Sequence, residues 1–173
     1  MAFWKKALII ILLSVSSFVW YAVLTQPDGL LAVSFFDVGQ GDAIFIETPS
    51  GSQVLIDGGP GRKVLTELSG VMPVYDKSID LVISTHTDFD HLAGLVEVIK
   101  RYDVGMVLEN GFTADTKIYK EWEKLLADKK IPRRVVRAGD RITLGRDSVL
   151  NILGPVPEDF IPPPQQANEV MVV

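Results

Sequence analysis

The chain contains no cysteine. That absence removes disulfides, thiolate zinc sites, iron–sulfur clusters and cysteine nucleophiles together, so any metal must be held by His, Asp, Glu or backbone. It leaves the compartment open, because a domain of this size can live outside a cell without disulfides. Histidine is nearly as scarce. The chain has 2, His86 and His91, and both fall in the segment His86-Thr87-Asp88-Phe89-Asp90-His91. No internal repeat is visible, which argues against a solenoid or propeller. A hydrophobic content of 47% and a charged content of 23% argue against disorder, and 173 residues leave room for one domain plus an appendage.

The first long feature is apolar. Lys5 and Lys6 precede an uncharged stretch from Ala7 to Pro27, 21 residues rich in Ile, Leu, Val, Phe and Trp, which ends at Asp28. About 20 such residues in a helix cross a hydrocarbon core of roughly 30 Å. Trp4 near one end, and Trp20 with Tyr21 near the other, suit interfacial positions. A core helix would also be apolar, but one apolar all round and starting this early fits poorly. A cleaved signal peptide shares the charged start and apolar middle. No small-x-small triplet stands at a suitable distance, which favours an uncleaved anchor. With both positive charges before the span, the expected topology is a single-pass cell-membrane protein whose residues 28–173 lie outside the cytoplasm. The domain division that follows is an anchor at 1–27 and a folded domain at 28–173. Without Lys5 and Lys6 the domain carries 15 basic against 22 acidic residues, a net of −7.

After the anchor the hydrophobic pattern predicts strands at Leu30–Phe36, Ala43–Thr48 and Gln53–Ile56, separated by the turns Asp37-Val38-Gly39-Gln40-Gly41-Asp42 and Pro49-Ser50-Gly51-Ser52. Tight turns between short strands make an antiparallel meander. A short helix is expected over Arg62–Ser69. Leu81–Ser84 suits a strand buried on both faces, followed by helices over Leu92–Tyr102 and Lys117–Lys129 and strands at Val104–Leu108, Arg133–Val136, Arg141–Leu144 and Val149–Leu153. Strands mixed with helices, a meander first, imply a layered α/β sandwich. Five of the 10 prolines lie between Pro155 and Pro164, which reads as a stiff connector. The apolar run Val170–Val173 then ends without a turn or polar tail, so the domain is expected to be incomplete at its carboxyl terminus.

The His/Asp segment directly follows the buried strand, at the strand's carboxyl end, where α/β active sites usually lie. In an extended loop His86 and Asp88 point the same way, because side chains alternate. Asp90 and His91 stand at the start of the next helix. A single Asp there is usually an N-cap, and a single His a packed residue. Four such groups crowded at a strand end would repel one another without a cation. Imidazole and carboxylate without thiolate fit Zn²⁺, Mn²⁺ or Fe²⁺.

The pattern His-x-Asp-x-Asp-His resembles the metal-binding loop of the metallo-β-lactamase fold, whose commonest form has His at the third position. Together with Phe36-Asp37-Val38-Gly39-Gln40-Gly41-Asp42-Ala43 and Leu55-Ile56-Asp57-Gly58-Gly59, the Asp variant is similar to the ComEC/Rec2 competence-protein subgroup. The likeness runs from about Leu31 through Pro155. It implies an αβ/βα sandwich preceded by one transmembrane helix, and two divalent ions, Zn²⁺ or Mn²⁺. His86 and Asp88 would ligate one ion, and Asp90 and His91 the other, with Asp90 and His91 counted as catalytic. Asp57 would position the loop. For Asp37 and Asp42, in the first hairpin turn, a turn-forming role and a direct role stand level. Asp88 in place of histidine makes its position harder and more anionic, which adds to the case for Mn²⁺.

Two departures qualify the likeness. Family enzymes complete the site with a bridging Asp and further histidines, and no histidine follows His91. The competence proteins also have many membrane spans, where this chain has one candidate. The resemblance implies DNA, single-stranded DNA included, as substrate. The net of −7 argues mildly against that, whereas Lys117, Lys120, Lys124, Lys129, Lys130, Arg133, Arg134, Arg137 and Arg141 against four acidic residues make a local tract of +5. That tract also reads as the solvated faces of a helix and a strand. Three functions follow as expectations: a DNA phosphodiesterase or nuclease, a hydrolase of small esters or phosphodiesters on the same fold, and a non-catalytic anchored binding module.

Overall fold

The structure is a computed structural model that describes residues 2–24, 29–146 and 148–155. The proline-rich connector beyond Pro155, the final apolar run and the junction at residues 25–28 lie outside the described residues.

Helix α1 (Ala2–Leu24) stands at the amino terminus with its large apolar side chains exposed. Its stretch Phe3–Leu24, 22 residues, is long and apolar enough to cross a membrane. Six of the strands that follow form one mixed sheet with helices on one face. Strands β1 (Ala32–Phe35), β2 (Ile44–Glu47) and β3 (Gln53–Ile56) pair antiparallel, as the two tight turns require. From β3 the chain alternates with helices: α2 (Lys63–Val71), β4 (Ser78–Ser84), α3 (Phe89–Arg101), β5 (Asp103–Glu109), α4 (Lys117–Lys129) and β6 (Arg133–Val135). These strands run parallel, so the order in space, β1-β2-β3-β4-β5-β6, repeats the order in the chain. A separate hairpin follows, β7 (Arg141–Leu144) with β8 (Ser148–Asn151).

Three successive strand–helix–strand crossovers step across the sheet in one direction. The handedness rule for such units puts their helices on the same face. Accordingly Val64 and Leu68 of α2, Leu92, Leu95 and Ile99 of α3, and Tyr119, Trp122 and Leu126 of α4 share one core with Leu55, Val82 and Val107 of the sheet. The alternate residues Val54, Leu81, Ile83 and Leu108 point to the opposite face, since strand side chains alternate. There they pack with Val136, Ile152 and the inner side of the β7–β8 hairpin, Ile142, Leu144 and Leu150. β4 is therefore apolar at consecutive positions, with Leu81 to Ser84 all buried.

The expected helix over Lys117–Lys129 and the strands Gln53–Ile56 and Arg141–Leu144 match the observed bounds. Elsewhere the edges move. β4 begins at Ser78, because parallel pairing with Asp103 extends it backwards through polar residues. Helix α3 begins at Phe89, so Asp90 and His91 belong to its first turn. β1 is shorter than the apolar run and mostly exposed, as an edge strand with one neighbour.

Candidate metal centre

The site is built where β3 and β4, side by side and parallel, release the chain at their carboxyl ends. Asp57 follows β3 and adopts φ +56, a left-handed conformation uncommon outside glycine but tolerated by Asp. Its backbone N–H still donates to Ile83 on β4 (2.9 Å). The turn then passes so close to α3 that side chains are excluded. Gly58 donates to the His91 carbonyl (2.9 Å) and Gly94 to the Gly59 carbonyl (2.8 Å). A Cβ on Gly58 would meet Leu95 N at 2.5 Å, and one on Gly94 would strike the Gly58 carbonyl. Two glycines thus let the β3 end lie against the first turns of α3 and bring Asp57 under His91.

Asp57 is 2% exposed and both oxygens of its carboxylate accept hydrogen bonds. Oδ1 accepts from the Thr85 N–H (2.9 Å), and Oδ2 accepts from Thr85 Oγ1 (2.5 Å) and His91 Nδ1 (2.9 Å). Thr85 Oγ1 also contacts His86 Nδ1 at 2.8 Å. A count of protons fixes the direction of every bond. A carboxylate only accepts, so the single Thr85 hydroxyl proton goes to Asp57 and His91 Nδ1 carries a proton. Thr85 Oγ1 must then accept, which puts the His86 proton on Nδ1. In their neutral forms both imidazoles are left with a bare Nε2 lone pair. The loop itself is pinned by Asn110, buried at the end of β5, which donates to the Thr85 carbonyl (2.8 Å), and by Ser84 Oγ, which donates to the His86 carbonyl (3.2 Å).

The rings of His86 and His91 stand 3.9 Å apart between centroids. Asp88 is the N-cap residue of α3, in extended conformation, yet its side chain makes no cap bond. Instead Oδ2 faces His86 Nε2 at 3.9 Å. Two acceptors confronting each other at that separation gain nothing without a cation, and a divalent ion between imidazole nitrogen and carboxylate oxygen is the ordinary solution. The donor set therefore fits a metal. Ligand atoms of Asp57, His86 and His91 also lie within 4.8 Å of one another, a trio that could hold an ion. With both its oxygens already accepting, Asp57 is better placed to orient the rings than to ligate. The imidazoles titrate in opposite directions. Burial, then the neighbouring His91, holds His86 below the ordinary histidine range, against the pull of Asp57, Asp88 and Asp90. The bond from Asp57 raises His91, against burial, with Asp90 and Asp42 adding to the rise.

The structure thus brings together His86, His91, Asp57 and Asp88, with Asp90 partly buried on the first turn of α3 and close enough for its charge to act on both rings. The two hairpin-turn aspartates part company. Asp37 is exposed and ion-paired with Lys63 (2.9 Å), whereas Asp42 acts on His91 through its charge and accepts from Gly59 N–H through its backbone (3.0 Å). Thr85 and Asn110 were not singled out by sequence reasoning. Thr85 was legible as the polar residue between a buried strand and the first histidine. Asn110 was legible only once β5 was known to lie beside β4. Part of the basic tract is paired within the fold: Lys120 with Asp115, Arg133 with Glu109 and Glu123, and Arg134 with Asp140.

A sheet grown by β–α crossovers, with a His/Asp loop between a buried strand and its helix, defines the class of α/β proteins that build metal centres at strand ends. The sequence model of the metallo-beta-lactamase superfamily matches residues 36–159, and the chain belongs to that superfamily. A search of curated protein sequences finds no match. Among solved structures, the chain is similar to the metallo-beta-lactamase SMB-1 crystallised with mercaptoacetic acid, at 16% identity and TM-score 0.49, covering 70% of this chain and 49% of that one. It is similar to the metallo-beta-lactamase fold protein YhfI from Bacillus subtilis at 17% identity and TM-score 0.47, covering 65% and 44%. A third likeness is to the flavodiiron core of Flv1 from Synechocystis sp. PCC6803, at 19% identity and TM-score 0.45, covering 65% and 27%. The chain spans about half or less of the length of each.

Proposed function

We propose that this chain is the metal-binding, membrane-anchored part of a hydrolase that cleaves phosphodiester bonds in DNA, related to the ComEC/Rec2 competence proteins. Residues 1–27 would be the anchor, and residues 28–173 a domain outside the cytoplasm. The observation that carries the hydrolase reading is the proton arrangement at the site. With both rings neutral, each imidazole N–H points inward to Thr85 or Asp57, and both Nε2 atoms, with the Asp88 carboxylate, are left to a cation. His86 with Asp88 would hold one ion, and Asp90 with His91 a second, either Zn²⁺ or Mn²⁺. When bound, such ions stabilise charge on attacking and leaving oxygens and lower the pKa of a bound water. Thr85 and Asp57 would fix the tautomers and ring planes, and Asn110 would hold the loop.

DNA as substrate draws its support from the motifs Phe36–Ala43 and Leu55–Gly59 together with the Asp at position 88. The test is metal-dependent cleavage of single-stranded DNA by the full-length protein. Asp90→Ala and His91→Ala are each expected to abolish it; cleavage that survives both changes would sink the proposal. The internal pairing of Lys120, Arg133 and Arg134 favours a second reading, a hydrolase of small esters or phosphodiesters that needs no basic track. Turnover of a small diester with DNA inert would select it.

A further inference from the structure

The loop between α2 and β4 carries apolar side chains that the core does not use. Val74 is 74% exposed and Tyr75 47%, with Val71 exposed at the end of α2 beside them. Three consecutive apolar residues, Pro73-Val74-Tyr75, sit in a turn where polar residues would be ordinary. The loop is not isolated. Tyr75 meets Phe18 and Tyr21 of α1 edge-on, at 6.2 and 5.9 Å between ring centroids. The Val74 N–H points to Tyr21 Oη at 3.4 Å. The exposed patch is therefore continuous with the last two turns of the helix that is long and apolar enough to cross a membrane.

The geometry points to a second membrane contact: the Val71–Tyr75 loop seats in the interfacial layer of the bilayer beside the end of α1. This rests on the reading of α1 as the anchor. Phe18 precedes the last residue of α1, Leu24, by six positions, about 9 Å along the axis at 1.5 Å per residue. A bilayer deep enough to cover the apolar length of α1 then reaches the level of Phe18, and so of the ring that touches it. Tyrosine is at home there, apolar body inward and hydroxyl toward the headgroups. The consequence for the site follows from β4. The loop enters β4 at Ser78, and the metal loop leaves it after Ser84. Six steps of a strand are about 20 Å. Seating the loop on lipid therefore turns the candidate metal centre to the end of the sheet away from the bilayer.

The absence of cysteine makes the test direct. Single cysteines replace Leu13 in mid-α1, Val74 in the loop, or exposed Thr113 in the β5–α4 loop at the opposite end of the sheet. Each full-length variant is labelled with an environment-sensitive fluorophore and reconstituted into vesicles of phosphatidylcholine and phosphatidylglycerol carrying nitroxide-labelled lipid. The expected result is quenching of 13 by deep nitroxides, quenching of 74 by shallow ones severalfold stronger than at 113, and a blue-shifted emission at 74. If 13 is quenched while 74, like 113, is not, the anchor stands and the second contact is overturned. A blue-shifted but unquenched label at 74 also overturns it, in favour of a second copy or another protein covering the loop. Equal shallow quenching at 74 and 113 overturns the stated orientation. An unquenched label at 13 refutes the anchor itself and the loop contact with it.

Discussion

At the scale of single residues the site is governed by one hydroxyl. Thr85 has one proton and two neighbours that want it, and the Asp57 carboxylate wins because it cannot donate in return. Thr85→Val keeps the shape and removes the relay. Asp57 Oδ2 then loses one donor and His86 Nδ1 its acceptor, and His86 can turn or change tautomer. The expected outcome is a folded protein whose affinity for Zn²⁺ or Mn²⁺ falls by about 10–100-fold, the usual effect of removing a partner of a ligand. Competition with a chromogenic chelator measures it, and a circular dichroism spectrum checks the fold. The pair of histidines was legible in the sequence because the chain uses histidine nowhere else. Their tautomers were not, since those depend on Asp57, a residue 28 positions from Thr85 in the chain.

Between elements, the decisive contacts are made by small residues and one acidic one. Gly58 and Gly94 let the β3 end and α3 touch backbone to backbone. Gly94→Ala drives a methyl against the Gly58 carbonyl, which cannot step aside as a flexible side chain would. Overpacking of that kind costs about 1–3 kcal/mol and sometimes more. At about 2–4 °C per kcal/mol for a chain of this size, the melting temperature falls measurably in a calorimetric scan. Glu97 on α3 does the opposite job. Hydrogen bonds from Lys100 first, and from Arg101 and Arg62, outweigh burial and hold its carboxyl down to about 2 from an ordinary 4.5. A depressed carboxylate stabilises the fold at any pH above its unfolded value and ceases to do so as pH falls through the folded one. The stability difference between the native chain and Glu97→Gln is therefore expected to be flat above about pH 5 and to shrink between 4.5 and about 2. Denaturant titrations across that range read it directly, and a difference that grows on acidification would contradict it.

Most element types were visible from periodicity, and the reasons for the misplaced edges are physical. Ser78-Ile79-Asp80 looks too polar for a strand, but its pairing with β5 and its position at the sheet's end allow polar side chains to stay wet. The first turn of α3 was hidden because Asp88, Phe89 and Asp90 do not repeat the apolar spacing that marks the rest of the helix. The tie between Tyr75 and α1 could not be read at all. It joins residues more than fifty positions apart through exposed aromatic rings, which periodicity ignores.

For the whole molecule, the arrangement places an apolar helix at one end of the sheet and the candidate metal centre at the other. If α1 is the anchor proposed above, the protein stays in the membrane pellet after carbonate extraction, and a variant lacking residues 1–24 moves to the supernatant. Release of the intact chain by carbonate would refute the anchor. The sheet's second face is covered among the described residues by the β7–β8 hairpin and Ile152, a smaller cluster than the one beneath the helices.

The order of the strands has a further consequence, in time rather than in space. Because β1 to β6 line up as they occur along the chain, each new strand finds its partner already made and next in line. None of these six strands has to wait for a distant segment or be inserted between two others, so little loop-closure entropy must be overcome before a contact forms. A chain emerging from a ribosome or a translocation pore can add one strand–helix unit at a time to a growing edge. The metal loop, lying between the fourth strand and its helix, would then take shape while the remainder of the sheet is still being delivered.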